Sequence, residues 1–118
     1  MHELSLASAV IDTATRHADG RHVSAVHLRV GHLRQVVPAS LLFYFEHVAR
    51  GTLCEGARLT LDEVPARLGC EACGHTWEPV GFRFRCPACE GATVAVVEGE
   101  EFEVDWINVE QVEGSCTA

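Results

Sequence analysis

CEACGHTWEPVGFRFRCPAC, residues 70–89, decides how this chain is laid out. Cys70 and Cys73 form one Cys-x-x-Cys turn and Cys86 and Cys89 another, with twelve residues between the pairs. Each turn aims two thiolates at one point, and a connecting hairpin brings the two turns together. Four thiolates then close a tetrahedron, the arrangement preferred by Zn(II). Gly74 and Gly91 are expected to permit the tight turns that let backbone amides approach the sulfurs, and Pro87 stiffens the second turn. A dithiol redox site needs one such pair opening a helix, not two facing each other. A closed four-thiolate set also leaves no open position for catalysis. His75 follows Cys73 closely enough to be a bystander, a hydrogen-bond donor to a metal-bound thiolate or an alternative ligand. Trp77, Phe82 and Phe84 read as cover for the hairpin.

Outward from these cysteines the pattern changes to an α/β chain. Residues 4–18 carry Leu4, Ala7, Ile11, Ala14 and Ala18 at helical spacing, with Val10 beside them and Gly20 as a stop. Residues 22–30 alternate, with Val26, Leu28 and Val30 on one face and His27 and Arg29 on the other, so His22 and His27 read as solvated strand residues. Pro38 opens a second helix whose stripe is Leu41, Leu42, Phe45, Val48 and Ala49, with Phe43 and Tyr44 also assigned to the core and His47 to solvent. Strands follow at 57–64 and at 101–109, where Phe102, Val104 and Trp106 alternate with acids. The expected fold is a small mixed three-stranded sheet with two helices on one face, interrupted by a four-Cys zinc ribbon. Residues 1–65 and 94–118 make the α/β domain and residues 66–93 the insert. Cys54 reads as a loop thiol and Cys116 as part of the tail.

The chain begins Met1-His2-Glu3, and this end is itself a candidate metal site. The α-amine, the His2 amide nitrogen and His2 Nδ1 close two fused chelate rings on one square-planar ion, a geometry that suits Ni(II) and Cu(II). The amine sheds its proton near neutral pH. His2 is bulky, so removal of Met1 is not expected. A helix starting here holds the three residues at its mouth, with Glu3 favoured in the first turn.

Composition narrows the function. The 118 residues carry a net charge of −8, with Arg as the only strong base and no Lys. Residues 66–92 hold three bases (Arg67, Arg83, Arg85) and three acids (Glu71, Glu78, Glu90). A neutral ribbon on an acidic chain is a poor match for nucleic acid. Seven acids and no base lie between Glu98 and Glu113, which reads as a solvated sheet face and tail. No apolar run is long enough to span a membrane. With no signal peptide in view, a cytoplasmic protein is expected, and its six cysteines then suit metal rather than disulfides. No catalytic constellation is readable.

Met1-His2-Glu3, Phe45-Glu46, Gly51-Thr52, Glu55-Gly56-Ala57 and the two cysteine pairs together resemble the HypA/HybF nickel-incorporation proteins of hydrogenase maturation. The resemblance runs to about Glu110. It implies a non-enzymatic nickel metallochaperone that delivers Ni(II) to the large subunit of a [NiFe] hydrogenase, and in some organisms serves urease. It implies partnership with a hydrogenase-maturation GTPase and with urease accessory proteins, and a monomer or weak homodimer. It carries nickel ligation onto Met1 and His2, with Glu3 close by, and structural zinc onto Cys70, Cys73, Cys86 and Cys89. Some members have an Asp where this chain has Pro38-Ala39-Ser40, and a His where it has Glu90-Gly91-Ala92-Thr93. The fourth nickel position is therefore left to His75 or water, or the ion is held only tightly enough to be handed on. The alternative reading is a zinc-ribbon adaptor that binds protein or nucleic acid.

Overall fold

The computed structural model describes residues 2–80 and 84–110. The expectations placed on Met1, Phe82, Arg83 and Cys116 lie outside them. In order, the elements are α1 (Glu3–Ala18), β1 (Val23–Gly31), a 3-10 turn (His32–Arg34), α2 (Pro38–Val48), β2 (Arg58–Val64), β3 (Arg67–Cys70), β4 (Thr76–Trp77), β5 (Val94–Glu98) and β6 (Phe102–Val109). They form two three-stranded sheets, ordered β2-β1-β6 and β4-β3-β5. The α/β class and the plan of two helices with a small sheet are as expected. The chain divides into two compact units, residues 1–29, 36–62 and 103–118 in one and residues 30–35 and 63–102 in the other.

In the first unit, α1 buries Ala7, Val10, Ile11, Ala14 and Ala18, and it packs on α2. Small residues on this face let the two helix backbones approach. Left-handed Asp19 (φ 54°) and Gly20 (φ 80°) end the helix. Val23, Val26 and Leu28 of β1 and Leu41 and Phe45 of α2 complete the core. Each fully buried Val or Leu contributes roughly 1.5–3 kcal/mol.

Three assignments change: Leu4, Leu42 and Phe43 are exposed rather than core, and Trp106 is exposed as well. Leu4 and Leu42 sit at the rims of their helical stripes, and Phe43 projects from the face of α2 opposite buried Leu41 and Phe45. Phe43 packs edge-on to the His47 and Tyr44 rings. Trp106 lies flat on His27, ring centroids 5.0 Å apart, and His27 Nδ1 is 2.6 Å from Thr60 Oγ1. Beside them Arg29 pairs with Asp62 at 3.6 Å and with Glu103 at 3.5 Å. The alternation of β6 breaks at Asp105–Trp106, both exposed, and Trp106 thereby joins the solvated face that carries Glu103.

The turn between α2 and β2 is built by Thr52, whose hydroxyl donates to Ala49 O at 2.6 Å and accepts from Cys54 N at 3.1 Å. Glu55 Oε1 accepts from Gly51 N at 3.1 Å. Cys54 lies in this loop, as expected, and its side chain is fully buried, near Thr15 Oγ1, where burial pushes its thiol up.

In the second unit, β3 is the central strand. It pairs antiparallel with β4 (Leu68↔Trp77) and with β5 (Leu68↔Val96, Cys70↔Val94). The sequence reading has no strand at 94–98, because Val-Ala-Val-Val shows no alternation to read. The strand forms because β3 offers it a ladder of backbone hydrogen bonds. Gly31 and Gly99 approach each other closely: a Cβ on Gly31 would stand 2.0 Å from the Gly99 carbonyl carbon. Hydrogen bonds flank this contact, Gly31 N to Glu101 O at 2.7 Å and Leu33 N to Gly99 O at 2.9 Å.

Candidate metal centres

The four cysteine sulfurs of the second unit converge, all within 4.8 Å of one another. Two loops of the same design bring them there. In the first, Gly74 N donates to Cys70 O at 2.8 Å and Cys70 N donates to His75 O at 2.8 Å. In the second, Glu90 N donates to Cys86 O at 2.8 Å and Cys86 N donates to Gly91 O at 3.1 Å. Each loop needs one left-handed residue after its second cysteine. Gly74 takes that role at φ 79°, and Glu90 takes it at φ 58°. The sequence reading gave Gly91 the turn. Its actual constraint is space, since a Cβ there would lie 3.2 Å from Cys89 Sγ and 3.6 Å from Cys70 Sγ.

Cys70–Cys89 and Cys73–Cys86 are the close pairs, both at 3.6 Å between sulfurs. A disulfide needs about 2.05 Å. Four sulfurs about 2.3 Å from a common tetrahedral centre stand about 3.8 Å apart. The spacing therefore fits thiolates around one ion. Charge gives the same answer. Backbone N–H groups of Cys73 and Ala72 hold the Cys70 thiol down at about 7. The Gly91 N–H also favours the Cys89 thiolate, yet the sulfurs of Cys70, Cys73 and Cys86 push Cys89 up to about 12. Cys73, despite the His75 N–H, is raised by Cys86 and by burial. Four thiolates at this spacing repel one another, and a divalent cation at their centre removes that repulsion.

His75 is exposed, and its ring stacks on Trp77 with centroids 5.8 Å apart. Its carbonyl holds Cys70 N. Among the described residues, the convergent ligand group consists of the four cysteines.

At the other candidate site, His2 is the N-cap of α1 and is exposed. Its carbonyl accepts from Leu6 N at 2.9 Å, and its side chain makes no capping bond. Glu3 is the first helical residue and only 6% exposed. Its Oε2 accepts from Val37 N at 3.1 Å, tying the first turn of α1 to the N-cap of α2. Sequence reasoning did not find Val37. The signal available was Pro38, which makes Val37 the N-cap and leaves its N–H without a helical acceptor.

The sequence matches the family model described as "Hydrogenase/urease nickel incorporation, metallochaperone, hypA" over residues 1–109. It is 43% identical over 110 residues to the hydrogenase maturation factor HypA of Geobacter metallireducens, covering 93% of this chain and 100% of that one. It is 44% identical to the HypA of Streptomyces avermitilis, covering 88% of this chain and 83% of that one. In fold it resembles the solution structure of the Ni metallochaperone HypA from Helicobacter pylori, with a TM-score of 0.68 and 21% identity over 91% of this chain and 96% of that one.

Proposed function

Because the chain belongs to the HypA family of hydrogenase/urease nickel-incorporation metallochaperones, we propose that it takes up Ni(II) at its N-terminus and hands it to the large subunit of a [NiFe] hydrogenase. Urease maturation is the second destination the family's description allows. The Met1 amine, the His2 amide nitrogen and the His2 imidazole supply the donors, with Glu3 beside them. The observation that carries this reading is the way His2 is presented: exposed, with no capping bond from its side chain, and fixed at the N-cap of a helix whose first residue, Glu3, is buried and anchored to Val37. The partial positive charge at a helix N-terminus favours an anionic amide nitrogen, which a square-planar Ni(II) chelate requires. A site of few ligands at a chain end also lets its ion leave, as a carrier must. No catalytic step is assigned to the protein.

Cys70, Cys73, Cys86 and Cys89 are proposed to hold a structural Zn(II), which when bound supplies folding free energy and no reaction. The functional division proposed is a nickel-carrying domain of residues 1–65 and 94–118 and a zinc-carrying insert of residues 66–93, with the compact unit around the cysteines reaching further, over residues 30–35 and 63–102. His75 supports the zinc loop through its carbonyl and its ring stack on Trp77. The expected partners are the hydrogenase-maturation GTPase and the recipient large subunit, in the cytoplasm, where thiolate ligands stay reduced.

Calorimetric titration with Ni(II) tests the proposal on three zinc-loaded proteins: the native N-terminus, an N-terminally extended form, and His2→Ala. Extension turns the amine into an amide, and His2→Ala removes the imidazole. One tight site in the native chain and none in the other two is expected. Equal affinity in all three would overturn the reading.

A further inference from the structure

We propose that His22 is a proton-operated clamp that fastens the end of β6 to the turn between α2 and β2. Three segments of the first unit meet at its ring. Nε2 lies 2.7 Å from the Glu55 carbonyl oxygen. Nδ1 lies 3.3 Å from Glu110 Oε1, just past the end of β6. The backbones meet at the same place: Glu110 N donates to His22 O at 2.8 Å, and Val23 N donates to Leu53 O at 2.8 Å.

Both groups facing the ring are acceptors, one a carbonyl and one a carboxylate. A neutral imidazole has one N–H and so satisfies one of them. The tautomer that donates to Glu55 O leaves the Nδ1 lone pair facing the Glu110 carboxylate, two acceptors in contact. The imidazolium donates to both. Among the described residues, His22 Nδ1 is the buried side-chain nitrogen or oxygen with no hydrogen-bond partner, which marks the ion pair to Glu110 as the link that depends on the second proton. The shorter Glu55 contact survives deprotonation, so the side that opens is the β6 side.

The charged groups that face the ring are Glu110, from the end of β6, and Glu55, from the α2–β2 turn. The Glu55 carboxylate is engaged by Gly51 N, which leaves Glu110 as the adjustable partner. The Glu55 carbonyl first, and the Glu110 carboxylate with it, raise His22 above the ordinary imidazole value. A raised folded value means that the clamp is fully closed below about 6.5, the free imidazole pKa, and is lost as pH rises through the folded value. The clamp therefore holds at mildly acid pH and releases the strand end on the alkaline side of neutrality.

The test uses the full zinc-loaded chain with its native N-terminus. NMR follows the His22 ring against pH and the hydrogen-exchange protection of the Glu110 amide at pH 6 and pH 8. The expected His22 midpoint lies above about 6.5, and Glu110→Gln moves it down by several tenths of a unit. Protection of the Glu110 amide, corrected for intrinsic exchange, falls severalfold from pH 6 to pH 8 in the native protein. It is flat in His22→Gln and in the residue-110 amide variant. Glu110 is largely exposed, so Glu110→Gln decides the matter even if His22→Gln folds poorly. A midpoint at or below the free value, or native protection that does not change with pH, would overturn the clamp.

Discussion

Replacing Gly31 by Ala inserts one carbon where the chain has no room for it. The new Cβ would stand 2.0 Å from both the carbonyl carbon and oxygen of Gly99 and 2.6 Å from Glu100 N. All three are backbone atoms, so no side chain can swing aside. Restoring ordinary contact requires a shift of roughly an ångström or more, because nonbonded carbons settle at about 3.5–4.0 Å. That movement acts on the two hydrogen bonds that flank the contact, Gly31 N to Glu101 O and Leu33 N to Gly99 O. Losing both costs about 1 kcal/mol each in net terms, with a further 1–3 kcal/mol for a donor or acceptor left buried without a partner. The expected destabilisation is therefore about 3–5 kcal/mol. For a chain of this length that corresponds to a fall in Tm of roughly 12–20 °C. Thermal unfolding of the zinc-loaded protein, followed by circular dichroism, measures it. Gly20→Ala is the control: φ is +80° there with open space around the position, so it reports backbone strain alone, about 1–2 kcal/mol. If Gly31→Ala melts within about 3 °C of the native chain, or no lower than Gly20→Ala, the close-approach argument fails.

Removing the metal by chelation, or opening the cluster with Cys70→Ala, should disorder β3, β4 and β5 in NMR spectra while the helical signal of α1 and α2 persists. Structural zinc supplies on the order of 10 kcal/mol to a unit of this kind; a chelated protein with an intact β3–β5 ladder would refute the assignment. Gly91→Ala crowds Cys89 Sγ and should speed metal loss to a chromogenic chelator about tenfold, an overpacking cost of roughly 1–3 kcal/mol. Unchanged release would mean that the second loop has room to give. Glu3→Ala frees the first turn of α1 from Val37, so exchange of the Leu6 amide should rise and nickel affinity should fall together. A change in one without the other would separate the anchor from the site.

The four-Cys site was legible because ligand spacing is short-range: Cys-x-x-Cys sets its own loop, and two such loops need only a hairpin to meet. The helices were legible at Ala7, Ile11 and Ala14 and again at Leu41 and Phe45, where apolar spacing tracks the helical repeat. Residues at the edges of those stripes were not. Leu4 and Leu42 have the right composition for a core, but burial depends on where the neighbouring element ends. β5 was invisible because its partner, β3, is remote in sequence and its own residues carry no period. Glu90 escaped notice because a left-handed residue is expected to be Gly, and a nearby Gly91 offered itself. Val37 escaped because its role is a backbone N–H, which no residue type announces.

In each of the two cysteine loops the first cysteine is buried and the second is exposed: Cys70 and Cys86 lie on the inner side, Cys73 and Cys89 on the outer. The cluster therefore has a front and a back. An alkylating reagent or a competing chelator meets Cys73 and Cys89 first, and the order of bond breaking follows from that approach. The close sulfur pairs run across the loops, Cys70 with Cys89 and Cys73 with Cys86. A two-electron oxidation that expels the metal would join one loop to the other at either pair. Oxidative damage at this site would then staple the loops together where simple metal loss lets them part, and the two injuries should be separable by whether a reductant alone, or a reductant with Zn(II), restores the fold.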